Sequence, residues 1–323
     1  METRISVIIP TYRRPTLLAR CIESLTGQLF DKNAYEIIVV SDGPDKETAR
    51  IVQKWKTHSY PRILYYTLPV KKGPAAARNM GWRKANGRLI AFTDDDCIPS
   101  RDWLQSIWEE YRGEEDMAFA GEIIVPLPKR PTDYEWNISL LENASFATAN
   151  CACTKKALTK VHGFDENFTL AWREDSDLEF KLLLHDIPIH HLQHAIVIHP
   201  ARQTRWGACI TDQKKSMFNA LLYKKYPELY RQKIQARPPW HYYIMIILFL
   251  LIIAGLISHS LPLTEIALIS WIFLVIRFAR KRLSATSRAF KHILEITFTS
   301  MIIPFISVYW RVYGACRYKV LFF

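Results

Sequence analysis

Three consecutive acids, Asp94, Asp95 and Asp96, follow the apolar run at residues 89–92. Carboxylates crowded at the end of a buried strand repel one another unless a cation lies between them. Oxygen ligands of this kind suit Mg²⁺ or Mn²⁺, and such a cation can in turn hold phosphate groups. The run therefore indicates chemistry on a nucleotide diphosphate. Alternatively, it is a solvated acidic turn that caps a helix beginning near Ser100, and the rest of the chain must decide between the two.

Strand and helix patterns alternate along the first hundred residues. We predict strands at residues 5–9, 35–40, 63–66 and 89–92, with helices at residues 17–25, 46–56 and 75–85 between them. This alternation predicts an α/β fold with a mostly parallel sheet, whose ligands gather at the carboxyl ends of the strands. Residues 11–14, 42–43 and 94–96 each follow a strand, so we expect them in one site.

The chain contains neither G-x-G-x-x-G nor G-x-x-x-x-G-K-[ST], the two common phosphate-binding glycine loops. Phosphates without such a cradle need cations, which Asp94 and Asp96 can hold. For Asp42 two roles are open. Its carboxylate could accept a hydrogen bond from a base edge, or it could serve the turn at residues 41–44, where Asp and Gly are common.

Five motifs resemble, in order, those of the family 2 inverting glycosyltransferases with the GT-A fold. They are VIIPTY at residues 7–12, VVSDG at 39–43, GPAAARNMG at 73–81, FTDDD at 92–96 and GFDE at 163–166. The resemblance covers about the first 210 residues and implies the GT-A nucleotide-diphospho-sugar transferase fold, a nucleotide-sugar donor and Mn²⁺ or Mg²⁺ as cofactor. It implies Asp94 and Asp96 as the two acids of a D-x-D metal motif. The donor contacts that it implies come from Pro10, Thr11, Tyr12, Arg14, Asp42, Arg78, Asp94 and Asp95.

A second acidic cluster lies at the start of a predicted helix and comprises Glu174, Asp175, Asp177 and Glu179. Helix dipoles favour acids in the first turn, so capping alone could explain one or two of these four. The segment also resembles the E-D motif of the family, in which the Asp deprotonates the acceptor hydroxyl. By that resemblance Asp175 is the catalytic base, Glu174 binds the acceptor or orients the base, and the other two acids are mostly structural.

His199 follows the strand-like run at residues 195–198. It is either a structural histidine or, as in some GT-A enzymes, a metal ligand beside Asp94 and Asp96. The three histidines at residues 190, 191 and 194 lie in a loop-to-strand region without an acidic partner, and we interpret them as non-ligands.

Residues 203–206, with the sequence QTRW, resemble the Q-x-x-R-W motif of processive synthases such as cellulose synthase. The resemblance implies diphosphate and acceptor contacts from Arg205 and Trp206. One residue is missing between Gln and Arg, and this departure argues against processivity.

The last quarter of the chain differs from the rest, because no Lys, Arg, Asp or Glu occurs between Arg237 and Glu265. Residues 240–258 and 259–276 are each long and apolar enough to cross a bilayer as a helix. A third apolar run, at residues 296–310, is short and contains Pro304, so it spans, re-enters or lies at the interface.

Residues 240–323 hold 9 Lys or Arg and 2 Asp or Glu, which is a net +7 of the chain's +12. Six of these nine basic residues cluster at residues 277–291, between the second and third apolar runs. Such a cluster belongs beside anionic headgroups on the cytoplasmic side. The excess charge therefore lies where a membrane needs it, and we expect no nucleic-acid partner.

We predict a glycosyltransferase domain at residues 1–215, with a donor half (1–100) and an acceptor half (101–215). A helical linker at 216–239 and a membrane region at 240–323 with two or three spans follow. The expected protein is a multi-pass enzyme of the cytoplasmic (inner) membrane, with its catalytic domain in the cytoplasm. It would transfer a sugar, in cell-envelope glycan synthesis, to a saccharide or lipid-linked acceptor.

The alternative is a noncatalytic membrane sensor or scaffold that binds nucleotide without transferring a sugar. Asp94, Asp96 and Asp175 are all present, and they argue against it because a binding module needs no base. The donor sugar, its nucleotide and the acceptor depend on pocket shape, which no short motif encodes.

Overall fold

The computed structural model describes residues 2–56 and 61–322, which divide into two compact units. The first unit comprises Met1–Pro126 and Ser139–Pro200, and the second comprises Leu127–Ile138 and Ala201–Phe323. The domain boundaries expected at residues 215 and 239 stay predictions.

The first unit alternates strands and helices through its amino-terminal part, as the sequence predicts. Its strands are β1 (Ile5–Thr11), β2 (Tyr35–Ser41), β3 (Arg62–Thr67), β4 (Leu89–Phe92), β5 (Ile98–Pro99), β6 (Ala118–Ile124), β7 (Cys151–Thr154) and β8 (Ile189–Ile198). Its helices are α1 (Pro15–Thr26), α2 (Lys46–Trp55), α3 (Pro74–Lys84), α4 (Trp103–Glu110), α6 (Lys155–Lys160) and α7 (Glu174–Leu184), with a 3₁₀ turn at Leu140–Asn143.

The eight strands form one mixed sheet in the order β3-β2-β1-β4-β7-β6-β8-β5. The first four strands in this order are parallel to one another, as expected for strands joined by helices. β7 is antiparallel to both of its neighbours, and β5 is antiparallel to β8. The predicted α/β fold with a mostly parallel amino-terminal sheet is therefore confirmed.

The centre of the sheet explains why its strands consist of continuous apolar runs. β1, β2 and β4 are buried at every position, because helices cover both faces of a parallel sheet. Side chains from α3, α6 and α7 complete one core cluster against these strands. The polar residues that follow the strands are thereby held on a rigid platform.

The helix expected near Ser100 begins later than the sequence suggested. Residues 98–99 form β5, and α4 starts at Trp103 without a side-chain cap at Asp102. Asp95 and Asp96 are buried. The interpretation of residues 94–96 as a solvated capping turn is therefore wrong, because two of the three acids are buried and the helix begins only at Trp103.

The second unit is helical. Its helices are α5 (Asp133–Ser139), α8 (Ala208–Asp212), α9 (Met217–Lys225), α10 (Pro227–Lys233), α11 (Trp240–Ile257), α12 (Leu261–Leu283) and α13 (Phe290–Tyr318), with a 3₁₀ turn at Gln213–Ser216. By length and composition, α11, α12 and α13 are each able to cross a membrane. The third apolar run thus belongs to a helix of 29 residues, longer than the uncharged segment that indicated it.

Candidate active site

The acidic run after β4 is tied to the loop after β1 by its middle residue. Thr11 Oγ1 donates a hydrogen bond to Asp95 Oδ2 at 2.7 Å, and Arg14 Nη1 lies 3.1 Å from Asp95 Oδ1. Burial raises the pKa of Asp95 to about 6, although Arg14 opposes this shift. Asp95 therefore joins two loops at the carboxyl ends of adjacent strands, and a contact from it to the donor stays a prediction.

Arg78 of α3 links the two acidic clusters, whose bonded residues Asp94 and Glu174 lie 80 residues apart in the sequence. Its Nη2 donates to Asp94 Oδ1 at 2.7 Å and its Nη1 to Glu174 Oε1 at 3.0 Å. Burial lowers the pKa of Arg78, but the attraction of the two carboxylates outweighs it and the net shift is upward. The predicted contact of Arg78 with a base or diphosphate is untested. The geometry shows a bridge between an acid after β4 and an acid at the start of α7.

Asp96, Cys97 and His199 bring potential metal ligands within 4.8 Å of one another. Ile98 of β5 pairs with Ile198 of β8 in antiparallel register, which places residue 97 opposite residue 199. His199 Nε2 lies 3.7 Å from Asp96 Oδ1. Its Nδ1 is buried and has no hydrogen-bond partner among residues 2–56 and 61–322. A carboxylate and an imidazole with a buried, unsatisfied nitrogen fit a divalent cation such as Mn²⁺.

Cys97 is the member of this group that the sequence did not indicate. Burial, followed by the nearby carboxylates of Asp94 and Asp96, raises the pKa of its thiol, so it is a neutral and weak ligand. Asp94, which the sequence did indicate, has one carboxylate oxygen on Arg78. Asp94 is not one of the three grouped residues, and its role as a metal ligand stays a prediction.

Asp175 lies at the start of α7, two residues after an arginine whose backbone conformation is unusual. Arg173, the residue before the helix, has φ of 73°, in the left-handed region that residues with a Cβ rarely adopt. Strain of this kind costs on the order of 1–3 kcal/mol and is common next to functional residues. The turn at Arg173 sets the direction in which the side chains of Glu174 and Asp175 point.

Both acids at this turn hold protons more tightly than exposed carboxyls. Burial raises the pKa of Asp175, while hydrogen bonds from Ser176, whose backbone N–H lies 2.6 Å from Asp175 Oδ1, oppose the shift. Burial also raises the pKa of Glu174 against the opposing charge of Arg78. A carboxylate with a raised pKa is better suited to accept a proton from a hydroxyl.

The other two acids of α7 bond within the protein. Lys181 Nζ lies 3.1 Å from Asp177 Oδ2, and Ser145 Oγ donates to Glu179 Oε1 at 2.7 Å. These contacts agree with the structural role expected for Asp177 and Glu179.

Asp42 fixes the loop that precedes α3. Its carboxylate accepts hydrogen bonds from the backbone N–H groups of Lys72 at 2.7 Å and Gly73 at 3.0 Å. Gly73 has φ of 105°, and a Cβ built there would lie 2.5 Å from the carbonyl oxygen of Thr169. The carboxylate of Asp42 thus bonds to the loop at residues 72–73 rather than within the turn at residues 41–44, and a base contact stays a prediction.

Tyr12 lies beside the same loop. Lys71 Nζ sits 3.9 Å from the centre of its ring, a cation–π contact that holds the two side chains together. The sequence alone did not single out Lys71, because nothing in its local pattern places it near Tyr12. Pro10 is a buried residue of β1 and contributes backbone rather than a side-chain donor.

Arg205 and Trp206 belong to the second unit. The ring of Trp206 lies 5.5 Å from that of Phe298, and the backbone N–H of Gly207 donates to Glu295 Oε1 at 2.7 Å. The diphosphate and acceptor contacts expected of Arg205 and Trp206 stay predictions. Histidines 190, 191 and 194 lie within β8 rather than in a loop.

Residues 6–162 match the sequence profile described as Glycosyl transferase family 2. Residues 6–162 therefore form a glycosyltransferase domain of family 2. Over 101 residues, the chain is 34% identical to Glycosyltransferase AglE of Haloferax volcanii, and the match covers 31% of this chain and 33% of the relative. Over 276 residues, it is 25% identical to Chondroitin synthase of Escherichia coli, covering 71% of this chain and 39% of that protein.

Two solved structures share the fold. Mannosyltransferase PcManGT from Pyrobaculum calidifontis, solved with GDP-Man and Mn²⁺, aligns with a TM-score of 0.60 at 17% identity, over 97% of this chain and 88% of that one. TarS residues 1–349 from S. aureus align with a TM-score of 0.50 at 15% identity, over 92% of this chain and 90% of the other. The fold is thus GT-A-like, whereas the chain spans only about a third of the length of the two curated relatives.

Proposed function

We propose that this protein is a metal-dependent inverting glycosyltransferase that moves a sugar from a nucleotide-diphosphate donor to a membrane-associated acceptor. The observation that carries the proposal is the bridge from Asp94 through Arg78 to Glu174. It holds the acids of the family 2 donor motif next to the pair of acids at the start of α7. Sugar transfer requires a nucleotide sugar and an acceptor to bind next to each other, as the two neighbouring groups of acids would allow.

The proposed reaction is a single displacement. Asp175 accepts the proton of the acceptor hydroxyl, whose oxygen attacks the anomeric carbon from the face opposite the diphosphate. The new glycosidic C–O bond forms as the C–O bond to the diphosphate breaks, and the nucleoside diphosphate leaves with the electron pair. Because attack and departure occur on opposite faces, the configuration of the sugar inverts.

The remaining side chains would position the reactants. Asp94, Asp96 and His199 would hold the cation, which when bound neutralises charge that develops on the leaving diphosphate. Tyr12, with Lys71 against its ring, would lie beside the nucleoside.

Glu174 would hold Arg78 and Asp175 in fixed relative positions, because its carboxylate accepts a hydrogen bond from Arg78 and Asp175 is the next residue in the chain.

The acceptor is proposed to be lipid-linked, for example a polyprenyl-linked saccharide, because a catalytic domain joined to apolar helices stays close to the bilayer. α11 and α12 are proposed to form a hairpin across the cytoplasmic membrane, with the catalytic domain and the basic residues at 277–291 on the cytoplasmic side. A soluble acceptor would not require such an anchor.

Transfer can be separated from mere nucleotide binding with the full-length protein in lipid nanodiscs. UDP-, GDP- and dTDP-sugars are supplied with Mn²⁺, and both thermal stabilisation and release of nucleoside diphosphate are measured. We expect one donor class to stabilise the protein and to be turned over. Stabilisation without any turnover, with or without membrane lipid extracts as acceptor, would favour the noncatalytic sensor instead.

The matched variants for this assay are Asp175→Asn and Asp186→Asn. The first keeps the shape of the side chain but removes the base, so turnover should fall at least ~10²-fold while donor affinity is retained. Asp186 lies exposed just after the same helix, with φ of 54° that Asn tolerates, so its variant should behave as wild type. Near-normal turnover in Asp175→Asn would move the base elsewhere.

A further inference from the structure

Helix α13 has two faces of opposite character. Its buried residues are His292, Ile296, Thr299, Ser300, Ile303, Pro304, Ser307, Arg311 and Gly314. Its exposed large apolar residues are Phe290, Leu294, Phe298, Met301, Tyr309, Val312 and Tyr313. Both sets recur at spacings of mainly three or four residues, so each forms one stripe along the helix. The buried stripe carries most of the polar groups and the exposed stripe is apolar, the reverse of a helix that faces water.

The buried face is occupied along nearly its whole length by residues that precede the apolar hairpin. Near its start, Glu295 accepts the backbone N–H of Gly207 at 2.7 Å. Near its end, Arg311 Nη1 donates to Gln235 Oε1 at 3.2 Å. Gly314 lies against Met217, where an added Cβ would be 2.5 Å from the carbonyl oxygen. α13 therefore packs lengthwise on residues 207–235.

The hairpin of α11 and α12 is the reference for describing the orientation of α13. The two helices are joined by three residues, as is usual for antiparallel neighbours. The rings of His241 and Tyr242, at the start of α11, lie 6.1 and 5.4 Å from that of Phe278, near the end of α12. The start of α11 and the end of α12 thus form one end of the hairpin, which we call its base.

Two parts of α13, at residues 299–300 and at residue 311, lie near this base. Arg282, the next-to-last residue of α12, donates to Thr299 Oγ1 at 2.9 Å and to Ser300 Oγ at 3.0 Å. At the other end of α13, Arg311 contacts Gln235, five residues before α11 begins. A third span would instead leave the base and run towards the hairpin turn at residues 258–260.

The middle of α13 touches the hairpin about halfway along α11. The rings of Phe305 and Phe249 lie 5.2 Å apart, and Phe249 is nine residues into α11, which corresponds to about 13 Å along that helix. α13 therefore crosses the hairpin near its base, and its apolar stripe stays largely exposed apart from contacts at Phe298 and Phe305.

The charges of α13 agree with this orientation. Of its four charged side chains, Lys291 and Arg317 lie near its ends, while Glu295 and Arg311 bond within the protein. A spanning helix with ionised side chains along its length carries a substantial insertion cost. A helix with one apolar face and one polar face that is continuous with two apolar helices is suited to the boundary between headgroups and acyl chains.

We propose that α13 lies in the plane of the membrane interface. Its apolar stripe enters the acyl-chain boundary, and its polar face holds residues 207–235 against the bilayer. The partner of the exposed stripe is thus the lipid surface, and the chain crosses the bilayer twice rather than three times. The inference goes beyond the proposed function and does not depend on sugar transfer.

Depth measurements separate the two orientations. Nitroxide labels are placed at Leu294→Cys, Met301→Cys and Val312→Cys, one at a time, in full-length Cys316→Ser protein in liposomes. All three positions are exposed on the apolar stripe. Power saturation by oxygen and by an aqueous nickel complex then reports how deep each label lies. For an interfacial helix we expect the three depths to agree within about 3 Å.

A spanning helix gives a different profile. Met301 would lie about 10 Å deeper than Leu294, because seven residues rise by that amount along the helix axis. That result would overturn the proposal. A label at Leu250→Cys, exposed in the middle of α11, provides the deep reference.

Sidedness provides a second, independent readout. Leu321 is exposed just beyond the end of α13, and Leu321→Cys is made in the Cys316→Ser background. In sealed vesicles a membrane-impermeant maleimide should label it from the same side as Ser284→Cys and from the side opposite to Ser260→Cys. Labelling of Leu321→Cys from the same side as Ser260→Cys would show a third crossing.

Discussion

Replacement of Arg78 by Met tests whether the bridge between the two acidic clusters holds the active site together. Met has a similar length and no charge, so it removes both hydrogen bonds with little change in volume. The side chain of Arg78 is only 2% exposed, and those of its partners Glu174 and Asp94 are 5% and 28% exposed. When the guanidinium of Arg78 is removed, water can therefore solvate Asp94 but not Glu174.

The magnitude follows from this difference. Loss of one partner of a buried ion pair costs about 3–5 kcal/mol, whereas the more exposed Asp94 adds less than about 1 kcal/mol. In a domain of this size, each kcal/mol corresponds to about 2–4 °C in Tm. We expect the Tm of the Arg78→Met variant to fall by about 6–20 °C at pH 8.5, measured by tryptophan fluorescence in detergent.

The pH dependence gives the prediction its direction. Burial raises the pKa of Glu174 while Arg78 opposes the shift, so the pKa of this carboxyl rises further in the variant. A raised folded-state pKa means that stability is retained at acid pH and lost as the pH rises through that pKa. The difference between variant and wild type should therefore be largest at pH 8.5 and shrink by at least half at pH 5.5, where Glu174 is protonated.

Two further variants complete the test. Arg83 lies on the same helix, is 56% exposed and sits 3.6 Å from Glu166, so Arg83→Met should change stability by less than about 0.5 kcal/mol. The double variant Arg78→Met with Glu174→Gln should regain part of the loss, because no buried charge is left unpaired. A Tm of Arg78→Met within 2 °C of wild type at pH 8.5, or a larger loss at acid pH, would refute the reasoning.

Three other predictions concern the same site. Asp96→Ala should abolish the Mn²⁺-dependent part of thermal stabilisation by the donor, and EDTA should do the same to wild type; stabilisation that persists in the variant would contradict the metal assignment. The acid limb of kcat/KM should lie above pH ~3.9, the ordinary value for Asp, because burial raises the pKa of Asp175 and the protonated acid accepts no proton. A limb at or below that value would argue for another base. Thr11→Val removes the 2.7 Å hydrogen bond to the buried Asp95 carboxylate and should lower the free energy of unfolding by about 1.5–3 kcal/mol, measured by urea titration; an unchanged midpoint would argue against the bond.

The local pattern of the sequence was sufficient for the amino-terminal half of the sheet and for the order of the motifs. β4 occupies the very residues that its apolar run indicated, and α3 begins at Pro74 after the loop glycine. These features are readable because burial on both faces requires continuous apolar strands, and because glycine and proline mark turns within a few residues of chain. The acids after β4 and at residue 174 were also visible in the local sequence, because they follow a predicted strand and begin a predicted helix.

Contacts between distant residues were decided only by the tertiary structure. Nothing near Arg78 in the chain shows that it joins Asp94 to Glu174, and nothing near Cys97 shows that β5 and β8 bring it beside His199. Likewise, apolar content left open whether the third apolar run spans, re-enters or lies at the interface, because the orientation of α13 depends on which residues cover its polar face. A sequence fixes which side chains can be buried or bonded, but partners far apart in the chain are chosen by how the whole chain packs, because each buried polar group requires a specific partner in space.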